Sequence, residues 1–326
     1  MFLLNNYYSM KVGLESPDQI REWSYGEVTN ENLFDSETGR PADGGILCER
    51  IFGTTANWEC RCGKYKGIEH RGVVCEDCGV EVTHSKVRRE RMGHIELVKP
   101  VLNVGYLSGL PSRVGILLDI DPVSIRKVID CLSFIVIEPG DTKYKYKQII
   151  CDKEYSNVIR KIGSDSGFKA ECGSSGIKKI LSDINIKEEL KQASIELQDA
   201  KGHEKQYLEE KIYLLHLFLR NNARPEWMVF DVIPVIPPDF RPVDKLKNNK
   251  IKISEISKKY MKVVYRNNRM KTLIELGAPE IIIRNENKYL QKAVDDLVNQ
   301  YRIKIQSSLS CLPLNDSILD YEDIDI

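Results

Sequence analysis

A short stretch with four cysteines decides how the first part of this chain folds: Trp58-Glu59-Cys60-Arg61-Cys62-Gly63 and, with twelve residues between Cys62 and Cys75, Cys75-Glu76-Asp77-Cys78-Gly79. Structural zinc sites use four thiolates arranged as a tetrahedron, and two cysteines one or two residues apart reach one ion from a tight turn. The glycine after each pair lets the backbone fold back toward the sulfur atoms. Because four protein ligands leave no open coordination position, the spacing predicts a closed, structural Zn²⁺ site formed by Cys60, Cys62, Cys75 and Cys78.

Two other interpretations of these cysteines fit the spacing less well. A redox Cys-x-x-Cys motif accompanies a βαβ pattern, which is absent around Cys75. A chance grouping of thiols does not explain two half-sites joined by a short charged loop. Zinc binding contributes roughly 10–16 kcal/mol of folding free energy, which a segment too small for its own core requires.

The length and composition are those of a globular protein that buries a core. A length of 326 residues allows two or three domains, and 42% hydrophobic residues are typical of a chain that buries a core. The 48 basic residues are balanced by 48 acidic ones, which argues against general electrostatic capture of nucleic acid. No apolar run approaches the ~18–20 residues of a membrane span, so we expect no signal peptide, no membrane partner and a cytoplasmic location.

The remaining five of the nine cysteines are scattered along the chain. An odd number of cysteines in a reducing compartment argues against a disulfide framework. Free cysteine commonly behaves as a small apolar side chain, so we expect buried structural thiols at these positions: Cys48, Cys131, Cys151, Cys172 and Cys311.

Residue patterns predict the main secondary structure elements. Alternating apolar residues predict strands at 94–97 and 134–137, with a helix at 121–130 between them that is capped by Asp119 or Asp121. Glycine and serine dominate residues 163–176, which predicts a flexible surface loop.

The second half of the chain is predicted to form two helical hairpins separated by a proline-rich segment. Helix-forming residues at 184–220 are interrupted once, near Gly202, which indicates two antiparallel helices. Five prolines between 225 and 242 exclude a helix there and leave a strand at 227–233 followed by an extended connector. Residues 253–276 and 281–300 form the second pair, joined at Gly277-Ala278-Pro279.

Residues 9–300 resemble the bacterial DNA-directed RNA polymerase β′ subunits. The most specific part of the resemblance is Lys86-Val87-Arg88-Arg89-Glu90-Arg91-Met92-Gly93-His94-Ile95-Glu96-Leu97, directly after the cysteine stretch. Further similar segments follow in the family's order: 16–28, 58–66, 70–83, 110–113, 225–228 and 265–269. The resemblance implies the N-terminal clamp part of such a subunit.

For the fold, the resemblance implies an α+β protein with an irregular zinc-ribbon-like subdomain, small sheet elements and two long antiparallel helical hairpins. It divides the chain into an N-terminal clamp and zipper segment (1–57), a zinc-binding subdomain (58–84), a clamp core with a helical hairpin at 184–220 (85–240), a lid-like connector (241–252), a clamp-helices hairpin (253–300) and an acidic tail without counterpart (301–326).

For binding, the resemblance implies two surfaces. The basic run after the cysteines is expected to contact nucleic-acid phosphates through Lys86, Arg88, Arg89 and Arg91. The clamp-helices hairpin is expected to dock a σ factor through polar residues that point outward: Arg266, Arg269, Arg284, Asn285, Glu286, Lys288 and Gln291. The implied partners are the polymerase β subunit, the remainder of β′, σ factor, DNA and nascent RNA.

The chain departs from the family in two places. Residues 246–251 lack the Gly-Gly-Arg-Phe-Ala type of stretch that the family carries in its lid. The Asn-Ala-Asp-Phe-Asp-Gly-Asp loop, whose carboxylates hold the catalytic Mg²⁺ in the family, is also absent from the sequence. We therefore assign no catalytic residue, place Mg²⁺ in a downstream part and interpret the acidic tail as a frayed terminus.

Other functions remain open on the sequence alone. The chain could be a truncated remnant without a polymerase role, or a free-standing regulator that binds σ through the same helices. An enzyme acting alone is the least consistent with the missing magnesium loop.

The purified chain is expected to show no template-directed nucleotide incorporation, because it lacks the carboxylates that bind the catalytic metal. The test is a primer-extension assay with Mg²⁺, free of contaminating polymerase. Incorporation that follows the chain through successive purification steps would contradict this prediction.

Overall fold

The structure, a computed structural model, describes residues 14–109, 111–162, 167–245 and 251–310. Its α-helices are α1 (Pro17–Trp23), α2 (Glu49–Phe52), α3 (Val104–Leu107), α4 (Arg113–Leu118), α5 (Pro122–Ile129), α6 (Asp152–Ile162), α7 (Ser174–Ser182), α8 (Ile186–Asp199), α9 (His203–Asn221), α10 (Glu255–Glu275) and α11 (Glu280–Ser310). Its strands are β1 (Ser24–Glu27), β2 (Met92–Leu102), β3 (Ser133–Glu138), β4 (Ile149–Cys151), β5 (Lys169–Glu171), β6 (Val229–Val235), β7 (Val243–Lys245) and β8 (Ile251–Ile253). Four short 3₁₀ turns lie at Ile68–His70, Ser85–Arg89, Pro225–Met228 and Pro238–Phe240.

The central sheet has the order β1-β2-β6 and joins segments that are far apart in sequence. Strand β1 pairs in parallel with β2, and β6 pairs antiparallel with β2. The pairing between β2 and β6 is interrupted between Glu96 and Val101, a stretch that contains Pro100. Proline has no N–H to donate, so it is found in sheets at interruptions of this kind.

Side chains from the long helices satisfy the backbone of β2 at its interruption and at its end. The amide of Asn267 in α10 accepts from Val98 N at 2.9 Å and donates to Glu96 O at 2.7 Å. Gln291 in α11 accepts from Leu102 N at 3.1 Å and donates to Leu102 O at 2.7 Å. Both amides are buried, so each replaces hydrogen bonds that water cannot supply.

Two apolar clusters form most of the core. The first places α10 and α11 against the central sheet and α2, with Phe52, Ile95, Tyr260 and Leu290 almost fully buried. The second lies between α4, α5, α7 and α9. A smaller cluster supports a second sheet of order β4-β3-β5, in which Phe134 stacks on Tyr155 of α6.

The predicted helical hairpins are confirmed. Helices α8 and α9 form the first pair, and α10 and α11 form the second. Gly277 adopts φ +64° at the end of α10, as the C′ position requires. Helix α5 begins after Asp121, whose carboxylate accepts from Ser124 N, which settles the choice between the two predicted caps.

The prediction of a surface loop at 163–176 is wrong for its described part. Residues 163–166 lie outside the described residues, but β5 and the start of α7 follow, and Ser174 is buried. Small residues permit this close packing: a Cβ at Gly176 would lie 2.8 Å from the side chain of Ile135. The sequence pattern reflected tight packing rather than chain mobility.

Parts of two other predicted segments cannot be compared. Residues 246–250 of the lid-like connector and 311–326 of the acidic tail lie outside the described residues. Of the predicted tail, the first ten residues continue α11 as far as Ser310. In the part of the chain that the structure covers, no helix combines the length and apolar character needed to cross a bilayer.

Replacing Gln291 with alanine is expected to lower the free energy of unfolding by about 2 kcal/mol, because the buried Leu102 carbonyl then loses its donor. Gln192→Ala is the matched control, since Gln192 lies exposed on α8 and its loss should change stability by less than about 0.5 kcal/mol. Urea unfolding followed by circular dichroism measures both. Equal effects of the two substitutions would contradict the role given to Gln291.

Candidate metal centre and binding surfaces

The four predicted cysteine ligands converge on one point. The sulfur atoms of Cys60, Cys62, Cys75 and Cys78 all lie within 4.8 Å of one another. Two of the separations, Cys60–Cys62 and Cys62–Cys75, are 3.5 Å. Zinc–sulfur bonds of ~2.3 Å at tetrahedral angles require sulfur atoms about 3.8 Å apart, so the cluster has the dimensions of a zinc site.

Two similar turns position these thiols. Gly63 N donates to Cys60 O at 3.0 Å, and Gly79 N donates to Cys75 O at 2.7 Å. Both glycines have positive φ, +79° and +66°, which a side chain would strain. The first turn closes over three residues and the second over four, and each presents a pair of sulfur atoms from its half-site.

The surroundings act differently on the thiols of this centre: they lower the pKa of Cys60 and Cys78, while hydrogen bonds with the neighbouring thiols raise the pKa of Cys62. Burial alone would raise the pKa of the Cys60 thiol, but backbone N–H donors, including Tyr65 N at 3.3 Å, lower it to about 7. The Lys64 ammonium bridges the half-sites through Glu76 at 2.6 Å and Asp77 at 3.0 Å, and its hydrogen bond lowers the pKa of Glu76 to about 2. Thiolate is the form that coordinates a metal ion.

The cysteine subdomain is tied to the core where the chain enters and leaves it. Trp58 N and the Thr54 hydroxyl both donate to Thr83 O, at 2.9 Å and 3.0 Å. Its interior consists of Val80, Val82 and the cysteines themselves. A segment with so small an apolar interior is of the kind that bound metal ions commonly stabilise.

The basic run predicted to contact nucleic acid is not a single solvated face. Arg88 is buried and donates to Gly53 O at 2.6 Å and Leu47 O at 3.2 Å. Arg91 is buried as well, where it pairs with Glu81 at 2.6 Å. The expectation that both arginines face phosphates is therefore corrected: their donors are used inside the protein.

The other two basic residues remain at the surface. Lys86 is exposed, and Arg89 is exposed while paired with Asp239 at 3.0 Å. They line an open groove of ≈ 1020 Å³ whose other wall is the segment around the exposed ring of Phe240. The structure thus brings together only this half of the predicted phosphate-contacting set.

The polar residues predicted on the clamp-helices hairpin divide into buried and exposed groups. Glu286 is only 4% exposed and pairs with Arg266 at 3.0 Å and Arg269 at 3.2 Å. Gln291 is buried against β2, as described above. The expectation that the whole set points outward is therefore wrong for Glu286 and Gln291, because the helices turn that face toward each other and toward the sheet.

Arg284 has an internal role too. Its guanidinium pairs with Asp152 of α6 and with Glu280, each at 2.8 Å, and lies 4.6 Å from the centre of the Phe134 ring. The exposed members of the predicted set are Arg269, Asn285 and Lys288. They share one end of the hairpin.

The sequence patterns missed an apolar surface at that end. Leu276 is 76% exposed and Ile281 is 62% exposed, beside exposed Tyr265 and Tyr289, whose rings flank Arg266 at 5.4 Å and 4.8 Å. Aromatic residues and arginine are the typical anchors of protein interfaces. Helical periodicity would have flagged Tyr265 and Tyr289, since neither belongs to the buried stripe of its helix.

Comparison with known proteins gives a consistent result. The sequence profile for RNA polymerase Rpb1, domain 1, matches residues 5–310. DNA-directed RNA polymerase subunit beta' of Thermoanaerobacter sp. (strain X514) is 46% identical over 302 residues, which cover 93% of this chain and 25% of the relative. The same subunit of Alkaliphilus oremlandii is 47% identical, and that of Listeria grayi is 45% identical, again over 93% of this chain.

The family match extends beyond residue 300, the end of the predicted resemblance, and includes the last part of α11 as far as residue 310. This chain spans about a quarter of the length of these relatives. The chain therefore belongs to the RNA polymerase Rpb1 domain 1 family and is similar over 93% of its length to the N-terminal region of the bacterial β′ subunit.

Proposed function

We propose that this chain is the zinc-stabilised N-terminal clamp part of a DNA-directed RNA polymerase, where it supports DNA-templated transcription by contacting nucleic acid and docking a σ factor. The observation that carries the proposal is the α10–α11 hairpin, which is fixed to the central sheet by buried amides and ends in an exposed surface of arginine, aromatic and apolar residues. Similarity to β′ subunits over almost the whole chain supports it.

The metal in this proposal is zinc, held by Cys60, Cys62, Cys75 and Cys78. A set of four thiolates selects zinc or iron–sulfur chemistry, and the closed tetrahedral dimensions favour a single zinc ion. The ion supplies charge neutralisation and cross-linking to a segment with almost no apolar interior. Its role is structural, since all four positions are protein ligands.

Purified protein is expected to contain about one zinc per chain, and Cys75→Ser should lose it, because Cys75 is a fully buried ligand at the centre of the cluster. Cys151→Ser is the matched control: Cys151 is exposed, lies outside the cluster and should retain the metal. Elemental analysis by mass spectrometry measures the zinc bound per chain in the unaltered protein and in both variants. Full zinc retention in Cys75→Ser would rule out the assignment.

The nucleic-acid surface in this proposal is restricted to the exposed side of the basic run. Lys86 and Arg89 are exposed along the groove, while Arg88 holds the backbone at Gly53 and Leu47 and Arg91 pairs with Glu81. Contacts of this kind position a duplex or a single strand through its phosphates and carry no base specificity.

The σ surface in this proposal is the exposed end of the hairpin. Arg269, Asn285 and Lys288 supply polar contacts, and Tyr289, Leu276 and Ile281 supply apolar area. Arg266 and Glu286 act by supporting this surface, since their ion pair is mostly buried between the helices. Because the hairpin is rigid before a partner docks, little conformational entropy is lost when this surface becomes ordered in a complex.

Arg269→Ala is expected to weaken binding of a primary σ factor to the full chain by roughly thirtyfold, the effect of losing an interface anchor worth ~2 kcal/mol. Arg220→Ala is the matched control, because Arg220 is exposed on α9, in the other hairpin. A fluorescence titration at 0.1 M and 0.5 M salt measures both, and the higher salt should weaken the complex by screening.

Two outcomes of that titration would count against the σ surface. One is the absence of saturable binding by the unaltered chain. The other is equal affinity of the Arg269→Ala and Arg220→Ala variants. Arg266→Ala is avoided as a test, since the Arg266 side chain is only 23% exposed and lies between the helices, whereas that of Arg269 is 52% exposed. Because Arg269 also pairs with Glu286, Lys288→Ala, which leaves that ion cluster intact on the same surface, should weaken binding too.

A further inference from the structure

The second sheet and α6 form a lobe that is inserted between α5 and α7. The lobe begins at β3, directly after α5, and ends at β5, directly before α7, and it has a small apolar cluster of its own. Cys151 is exposed at the end of β4, and Cys131 and Cys172 are partly exposed at the base of the lobe. The expectation of a buried thiol is therefore wrong for these three cysteines, whereas Cys48 in the core is buried.

The loop between β3 and β4 carries an alternating run of basic and aromatic residues, Lys143-Tyr144-Lys145-Tyr146-Lys147, here called the lysine–tyrosine loop (143–147). The groove that Lys86 and Arg89 line contains no residue of this loop. Lysines interleaved with exposed rings are typical of surfaces that bind single-stranded nucleic acid, since cations contact phosphates and rings stack on bases.

Hydrogen bonds hold the lysine–tyrosine loop in one conformation. Lys147 N donates to Val136 O and Val136 N donates to Gln148 O, both at 2.9 Å, so the end of the loop continues the pairing with β3. Gln148 N donates to Lys145 O at 3.1 Å, and Lys145 N donates to the Gln148 side-chain oxygen at 2.9 Å, which closes a turn from both ends. A ligand would thus meet a surface that is already formed.

The first half of the loop turns its lysines outward. Tyr144 packs on the apolar cluster of the lobe, with its ring centre 6.1 Å from that of Phe168. Lys143 and Lys145, on either side of this inward residue, are both exposed. Their ammonium groups are therefore free to reach one ligand on the outer side of the loop.

The second tyrosine presents a fixed aromatic ring. Tyr146 is 42% exposed, and its hydroxyl donates to the Asp183 carboxylate, at the end of α7, at 3.3 Å. Burial and this carboxylate raise the pKa of Tyr146 to about 12, so the ring stays neutral. The Lys147 ammonium lies 5.8 Å from the ring centre.

The cations of the loop are not used in ion pairs within the described part of the chain. Lys169 of β5, in the same lobe, shows the contrast, since it pairs with Glu138 at 2.8 Å. No such pair joins Lys143, Lys145 or Lys147 to a carboxylate among the residues that the structure describes. Asp141 precedes the loop and Glu154 follows β4, so the excess of positive charge is confined to the loop itself.

We propose that the lysine–tyrosine loop binds a single strand of nucleic acid, with phosphates against Lys143 and Lys145 and a base stacked on the ring of Tyr146. The exposed ring is what favours a single strand, because the bases of a duplex are already stacked on one another. A duplex or an acidic polypeptide would use the lysines alone. The site is separate from the groove with Lys86 and Arg89 and does not depend on it.

The lysines are tested by fluorescence anisotropy of a labelled oligo-dT strand with the full chain, titrated at several salt concentrations. Lys143→Gln/Lys145→Gln should lower the slope of log affinity against log salt by about 1.4, which corresponds to roughly 25-fold weaker binding at 0.1 M salt. Lys187→Gln/Lys191→Gln is the matched control: it removes the same charge from exposed lysines of α8 and should change the affinity less than about twofold.

The ring is tested separately. Tyr146→Ala should weaken binding of the single strand at least about fivefold, because a stacked base is lost, and should leave binding of a duplex unchanged. Tyr146→Phe keeps the ring and should bind like the unaltered chain. Ultraviolet crosslinking of a strand that contains bromodeoxyuridine should attach it to the peptide that includes residues 143–147.

Several results would overturn the proposal. The unaltered chain might give no saturable binding, or the α8 control might weaken binding as much as the loop variant, which would mean that charge acts without a site. Equal binding by Tyr146→Ala and the unaltered chain would exclude stacking, and displacement of the strand by an equal concentration of oligoglutamate would indicate an acidic polypeptide as the ligand. Loss of all single-strand binding in Lys86→Gln/Arg89→Gln would place the strand in the groove instead.

Discussion

The architecture depends on two carboxamide side chains that complete the hydrogen bonding of one strand. Strand β2 loses its pairing with β6 around Pro100, and its last residue needs partners as well. Asn267 supplies an acceptor and a donor at the interruption, and Gln291 does so at the strand end. Because one amide comes from each helix of the hairpin, both helices are held in a fixed register on the sheet. Unsatisfied backbone groups at these buried positions would cost more than almost any surface contact contributes.

The cost of an unsatisfied buried group also explains why several charged residues near the two proposed binding surfaces are used inside the protein. Glu286 is stabilised by its two arginines, and Arg88 by two carbonyl groups of the segment 47–53. A buried charge that loses its partner is strongly destabilising, so these groups are committed to the fold. What remains for partners is smaller and more mixed than a row of charges: one arginine, a lysine, aromatic rings and an apolar tip. Surfaces of that composition bind through a few anchors rather than through long-range attraction.

The sequence was informative wherever the cause of structure is local. Cysteine spacing predicted which four thiols meet, and helical periodicity with Gly277 predicted both hairpins and the break between α10 and α11. It failed where the cause is tertiary. No local pattern shows that residues 24–27, 92–102 and 229–235 share a sheet, or that Arg91 and Gln291 turn inward. The glycine-rich segment before α7 was misread because small residues serve tight packing as well as turns.

The two hydrogen bonds to the Thr83 carbonyl have a consequence for how the protein unfolds. It receives hydrogen bonds from Trp58 N and from the Thr54 hydroxyl, so the segments leading into and out of the cysteine subdomain are joined to each other at its base. The segment between them has an interior separate from the main clusters. Opening of this segment thus leaves the fastening intact, which makes it a cooperative unit that unfolds and refolds below the global free energy of the protein. Hydrogen exchange would register it as one block, insulated from the long helices.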